Sequence, residues 1–260
     1  MQTHYSLFSL MTLVIGSTTT ELSFANDSRQ TIEEDTHYEL AIGLYTNVSE
    51  SEYVGGKDSL DVMPLVEWSW ENWFLQDYRL GSYLAGGDSW VIFSSLGLAS
   101  FGDSERGASA VLADVKAPGD VYTVVLSSSL SGQWGHFEYA IEQDISNRHH
   151  SHFFRTRYGI DIPMDRWTLE PVIRLYYLPE KLVNFYYGVP EKRVKPGRSV
   201  YKPKDAYLVD TGVNLSYRLK PDHAVSVGLM HRFFSSEIRN SPIVNAGHNA
   251  SLSASYLYAF

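Results

Sequence analysis

His149-His150-Ser151-His152 gathers three imidazoles and a hydroxyl into four consecutive positions. Closely spaced imidazoles are donors for zinc or copper, and a His two residues from a Ser pairs a base with a nucleophile. Neither chemistry follows from this stretch alone. Structural and catalytic metal sites normally take three or four ligands in fixed geometry. These residues sit in a tight turn beside Arg148, so the bland reading is a solvated polar turn. With nine His in the chain, some Ser-His pairing is inevitable and no Ser-His-Asp triad can be assigned. Gly55-Gly56-Lys57-Asp58 is too short for a phosphate cradle and lacks its spacing. His231 shares an apolar face with Val225, Val227, Leu229 and Phe233 and reads as a rim residue. No catalytic, metal or cofactor site is expected.

A second group of reactive side chains is more orderly. Glu138, Glu142, Arg155, Arg157, Asp161, Glu170, Arg174, Asp210, Arg218 and Arg232 all fall on the polar face of segments that alternate with period two. Opposite charges on facing positions pair and fill a narrow interior, where stripping one of its partner is costly. The alternative is that the arginines line a selectivity constriction.

The elements that must carry these charges are strands. In Trp167–Tyr177, one face is Trp167, Leu169, Pro171, Ile173, Leu175 and Tyr177, and the other is Thr168, Glu170, Val172, Arg174 and Tyr176. Segments at 38–45, 60–70, 73–84, 89–100, 120–132, 135–145, 151–162, 166–178, 182–188, 206–220, 223–235 and 248–260 share this period. A soluble sandwich and a membrane barrel both alternate. Many of these segments exceed the usual length of about 5–6 residues and suit the roughly 9–11 needed to cross a bilayer at a tilt. The fold expected is all-β: a transmembrane antiparallel up-and-down β-barrel of about twelve strands, with ten as the alternative. Pro171 in mid-strand counts against it, because proline removes a ladder hydrogen bond.

Residues 1–25 read as a secretory signal, with an apolar Leu7–Ile15 run and small residues before a cut after Ala25. Residues 26–37 read as a flexible arm and 38–260 as the barrel. A formal charge of −9 argues against nucleic-acid binding. The chain ends Tyr256-Leu257-Tyr258-Ala259-Phe260, aromatics alternating up to a terminal Phe. Such a strand closes a barrel against the first strand, and Tyr256, Tyr258 and Phe260 form the address read by the bacterial barrel-assembly machinery. The location expected is the outer membrane of a Gram-negative cell, in contact with lipid and lipopolysaccharide. Glu191–Arg198 is a basic loop suited to lipopolysaccharide phosphates or to plain solvation. Counting strands back from Phe260 puts 46–59, 189–205 and 236–247 outside. It puts 70–72, 146–150, 179–181 and 220–223 in the periplasm. The long 101–119 connection also falls in the periplasm, against the rule that periplasmic turns are short.

Particular stretches then resemble one family. Asn184-Phe185-Tyr186-Tyr187-Gly188-Val189 is similar to the YYGV segment of the MipA/OmpV family of outer-membrane proteins, and Ser241-Pro242-Ile243-Val244 to its SPIV segment. Ser51–Asp58 followed by Val62–Trp68 resembles its first long loop and second strand, and Tyr201–Tyr207 its Tyr-rich approach to a later strand. The matches run in order over about 38–260. The Ser51–Gly56 run departs from the family's Pro-Asp-Tyr-Glu-Gly-Ser type. The resemblance implies an outer-membrane barrel, not an enzyme, acting as a scaffold between a lytic transglycosylase and a murein synthase. The alternative role is a small-solute channel. A third reading notes that His-x-Ser at 149–151 is a pattern used by an outer-membrane lipid A deacylase. That enzyme needs both side chains facing lipid near the outer rim, and the strand count puts 149–151 at the other end.

Overall fold

The structure, a computed structural model, describes residues 38–260, so the leader and arm expected over 1–37 lie outside it. The alternating segments form β1 (Tyr38–Ser49), β2 (Ser59–Trp70), β3 (Trp73–Gln76), β4 (Arg79–Gly87), β5 (Trp90–Leu98), β6 (Tyr122–Gly132) and β7 (Gly135–Asp144). They continue as β8 (His152–Gly159), β9 (Ile162–Met164), β10 (Trp167–Leu178), β11 (Ala206–Lys220), β12 (His223–Phe234) and β13 (His248–Ala259). Two helices, α1 (Glu180–Tyr187) and α2 (Ser236–Arg239), lie in connections. Neighbouring strands pair antiparallel, and β1 pairs with β13 from Ala41↔Ala259 to Ser49↔Ser251, which closes the sheet. β8 and β9 meet β10 one after the other, with Gly159↔Val172 and Ile162↔Leu169, so they share one wall position and the barrel has twelve strands.

Closure explains the greasy final strand: its edge is buried in a ladder rather than left to aggregate. Ser253, Ser255 and Leu257 point inward and are buried, while Leu252 is 52% exposed on the outer face. Along β10, Glu170, Val172, Arg174, Tyr176 and Leu178 are buried and Pro171, Ile173 and Leu175 are exposed. Leu229, Leu175 and Val227 continue this outward apolar surface. A soluble protein avoids such a band, whereas a barrel offers it to lipid. Exposed Trp70, Trp73, Trp90, Trp134 and Trp167 ring the end that carries the C-terminus.

Pro171 sits where its missing N–H costs nothing. Its carbonyl accepts from Ile160 at 3.3 Å, on the side where the β8–β9 ladder is interrupted at Ile160 and Asp161. A proline is admitted at such a bulge. Pro64 follows the same logic. β2 pairs with β1 along its whole length, but with β3 only at Trp68–Trp70. The Pro64 carbonyl on the remaining edge is capped by the Tyr78 hydroxyl.

Two features depart from the expected elements. The segment 73–84 is a hairpin, β3 and β4, turning at Asp77-Tyr78 with φ of 50° and 59°. Residues 182–187 belong to α1 and Gly188 caps it, and Leu182, Val183, Tyr186 and Tyr187 follow helical spacing and form its buried face. One strand gained and one lost leave the count at twelve but invert everything between the two. The connections 99–121, 145–151 and 179–205 therefore lie at the same end as 50–58 and 235–247. The opposite end carries the short turns 71–72, 88–89, 133–134, 165–166 and 221–222 with the C-terminus, and by the rule of bacterial barrels it is periplasmic. The long 101–119 connection that broke the rule is an outer loop, as are 146–150 and 179–181.

Candidate functional site

The largest hydrophobic core lies across the outer mouth rather than at mid-barrel. Tyr53 from 50–58, Phe101, Leu112 and Val115 from 99–121, the apolar face of α1, and Ile238, Ile243 and Val244 from 235–247 pack on one another. They rest on wall residues at the outer strand ends, among them Phe153, Tyr176, Leu178, Leu208 and Phe234. Apolar loop residues in such number bury only by turning inward, so the loops form a plug.

Polar contacts fix the plug. The Tyr187 hydroxyl donates to Glu52 Oε1 at 2.7 Å, and Tyr53 stacks on Tyr187 with centroids 5.9 Å apart. Ser241 Oγ donates to the Tyr187 carbonyl at 2.7 Å. Val54 N–H donates to the Ile243 carbonyl at 3.0 Å, and Asn245 N–H to the Glu52 carbonyl at 2.7 Å. Arg106 donates to the carbonyls of Phe185 at 2.7 Å and Lys116 at 3.1 Å, and Ser109 Oγ donates to that of Val54 at 2.6 Å. Burial pushes the Glu52 carboxyl above its ordinary value, against the opposing donation from Tyr187. The three stretches 51–58, 184–189 and 241–244 thus converge on one assembly, although the Tyr187–Glu52 contact alone links residues 135 apart in sequence.

Beneath the plug the lumen holds the expected charges. Arg155 pairs with Glu138 at 2.9 Å, and Arg232 grips Asp210 through two bonds of 2.7 and 2.8 Å. The Arg232 guanidinium also lies over the rings of Phe101 and Tyr176, at 5.9 and 5.5 Å, joining the plug to the wall. Arg157 pairs with Glu170, which also takes His136 Nε2 at 2.9 Å and Asn214 Nδ2 at 2.8 Å. Arg174 is buried across from Asp210 and Arg157. Glu142 accepts from Ser100 N–H, Ser100 Oγ and Thr123 Oγ1 at 2.9, 2.6 and 2.6 Å. Asp161 is half-buried at the bulge, and Arg218 is half-buried toward the periplasmic end.

Sequence reasoning missed Arg79, His136 and Asn214. Arg79 is buried, 3.6 Å from Glu142, and donates to Ser95 Oγ and Thr123 Oγ1 at 3.1 Å each. In an unbroken strand over 73–84 it would share the outward face of Trp73. The turn at Asp77-Tyr78 reverses that parity and brings it inside.

The His149–His152 turn is at the outer end, but it does not face lipid. Asp144 accepts the N–H groups of His149 and His150 at 2.8 and 2.9 Å, and the buried His149 ring stacks near Phe185 of the plug. Burial holds the His149 imidazole below its ordinary value. The bond between Ser151 and His149 runs from the serine's backbone N–H at 3.2 Å, while its hydroxyl turns to the His152 carbonyl. This is a structured turn and not a nucleophile–base pair. In the basic loop, Lys195 and Arg198 engage Asp114 of 99–121, and their hydrogen bonds hold that carboxyl down at about 2. Lys192 and Arg193 stay without burial on the outer surface. Phe260, 71% exposed, donates its N–H to the Leu40 carbonyl at 2.9 Å, and Tyr256 and Tyr258 flank it on the outer face.

A family model described as MltA-interacting protein MipA matches residues 42–260. The chain is 26% identical over 98 residues to a "24 kDa outer membrane protein" of Pasteurella multocida (strain Pm70), which covers 37% of this chain and 38% of that protein. Among solved structures it is similar in outline to the CymD monoaromatic hydrocarbon channel, at 10% identity, TM-score 0.43, and 87% and 89% of the two chains. An outer membrane channel of Pseudomonas putida F1 is similar at 10% identity, TM-score 0.42, and 90% and 99% of the two chains.

Proposed function

The chain belongs to the MltA-interacting protein MipA family of outer-membrane β-barrels, and on that premise we propose that it is a scaffold that brings a murein lytic transglycosylase and a murein synthase together at the outer membrane. The observation that carries this reading is the plug: Tyr53, Tyr187, Ile238 and Ile243 fill the outer mouth above a lumen of paired charges. A barrel sealed in this way acts through its surfaces. No catalytic role is assigned to it.

The surface available to murein enzymes is the periplasmic rim. The long 101–119 connection is at the opposite end and takes no part in it. The rim instead presents Glu71, Asp88, Asp165 and Asp222 at its turns, and Trp134, 76% exposed at the tip of 133–134. An exposed Trp on a rim of mixed charge, where Arg166 stands exposed next to Asp165, suits a protein partner with an apolar pocket in a polar surround. A photo-crosslinking residue at Gln133 in living cells is expected to capture a lytic transglycosylase and a murein synthase. Capture of neither, from an assembled barrel, would remove the scaffold reading.

The second reading is a small-solute channel. It requires the plug to leave the mouth, and single-channel conductance discriminates between the two.

A further inference from the structure

His136 is a buried imidazole with one nitrogen used and the other not. Its Nε2 lies 2.9 Å from Glu170 Oε1, while Nδ1 is buried without a hydrogen-bond partner and is aimed at Asp161 Oδ2, 3.9 Å away. That separation is too long for a hydrogen bond of about 2.7–3.2 Å. Two ligands of one tetrahedral zinc, each about 2.0–2.1 Å from it, stand about 3.4 Å apart, so a small closure of the half-exposed Asp161 side chain brings the pair to a shared ion. Nitrogen and carboxylate oxygen together are a donor set for a divalent transition metal.

The surroundings are built around this group. The bulge at Ile160 and Asp161, tolerated by Pro171 opposite, turns Asp161 toward His136. Gly159 leaves the space: a Cβ there would stand 2.5 Å from Glu170 Oε1 and 2.6 Å from His136 Nε2. Arg157 and Asn214 hold Glu170 in place, and Glu170 orients the ring. A carboxylate on the far nitrogen of a ligating His is the arrangement that fixes the ring and raises its basicity in metal sites. The Asp161 side chain is 26% exposed, which gives an ion a path from the periplasmic half of the barrel.

We propose that His136 Nδ1 and Asp161 bind a divalent transition-metal ion of the zinc type, completed by water, with Glu170 as the positioning residue. The probe is zinc itself, titrated calorimetrically into the tag-free full chain refolded in detergent, with cobalt absorption reporting the ligand field. One ion per chain is expected. Asp161→Asn, at a half-exposed position, keeps the heat-modifiable fold and weakens binding about tenfold or more. His248→Gln disrupts a separate imidazole pair, His231 and His248 with centroids 4.9 Å apart, and leaves binding unchanged. No binding, or binding that survives Asp161→Asn, or binding lost in His248→Gln, each overturns the proposal.

Discussion

The Tyr187 hydroxyl reaches Glu52 at 2.7 Å and ties the first outer loop to the helix that follows β10. Glu52 is buried and Tyr187 is fully buried, so the pair is a hinge pin for the plug.

Tyr187→Phe leaves the Glu52 carboxyl buried without this donor. An unsatisfied buried acceptor costs about 1–3 kcal/mol. The expected result is a folded barrel whose loops are cut faster by an external protease than those of the parent. Equal cleavage rates would show that the bond does not hold the plug.

The plug is expected to respond to acid. The folded-state pKa of Glu52 is raised, so the folded form binds its proton more tightly than the unfolded chain. Its contribution is fully present below the ordinary Glu value of about 4.3 and is lost as pH rises through the raised value. Loop protection is therefore expected to increase on mild acidification of the parent and to lose that increase in Glu52→Gln. A parallel pH profile in both would contradict the assignment.

Within the lumen, Arg155→Met strands Glu138. Breaking one partner of a buried pair costs about 3–5 kcal/mol, whereas replacing both with apolar side chains is often close to neutral. The temperature of the gel-mobility shift is expected to fall in Arg155→Met and to recover in Arg155→Met/Glu138→Leu. No recovery would mean that Arg155 matters for packing and not for charge.

Topology is testable because the chain contains no Cys. Glu105→Cys lies exposed in an outer loop and Gln133→Cys is exposed at a periplasmic turn. A membrane-impermeant thiol reagent on intact cells is expected to label the first and spare the second. The reverse pattern would restore the inverted strand count.

That inversion marks the limit of what the sequence discloses. Period two located the walls and the inward charges, because parity along a strand is dictated by chemistry on its two sides. The hairpin at Asp77-Tyr78 carries neither Gly nor Pro, and both residues adopt positive φ with nothing local to announce it. The parity of Arg79 was lost with it. α1 is short, and its aromatics resemble a strand until Leu182, Val183, Tyr186 and Tyr187 are placed at helical spacing. His136 and Asn214 were invisible as network members, since their partners lie on strands remote in sequence.

Phe260 is expected to affect assembly more than folding. It is exposed at the chain end and contributes a single backbone bond to Leu40. Removing it is expected to lower the amount of barrel in the outer membrane of cells while leaving refolding in detergent intact. Equal loss in both settings would make its role structural and not one of recognition by the assembly machinery.

A barrel with a sealed outer mouth works through its surfaces and carries no current. Single-channel recording of the purified full chain in planar bilayers is the decisive measurement. A silent barrel is expected, with heat-modifiable mobility to prove that it is folded. Discrete, reproducible conductance steps from the unaltered chain would contradict it and make the protein a channel.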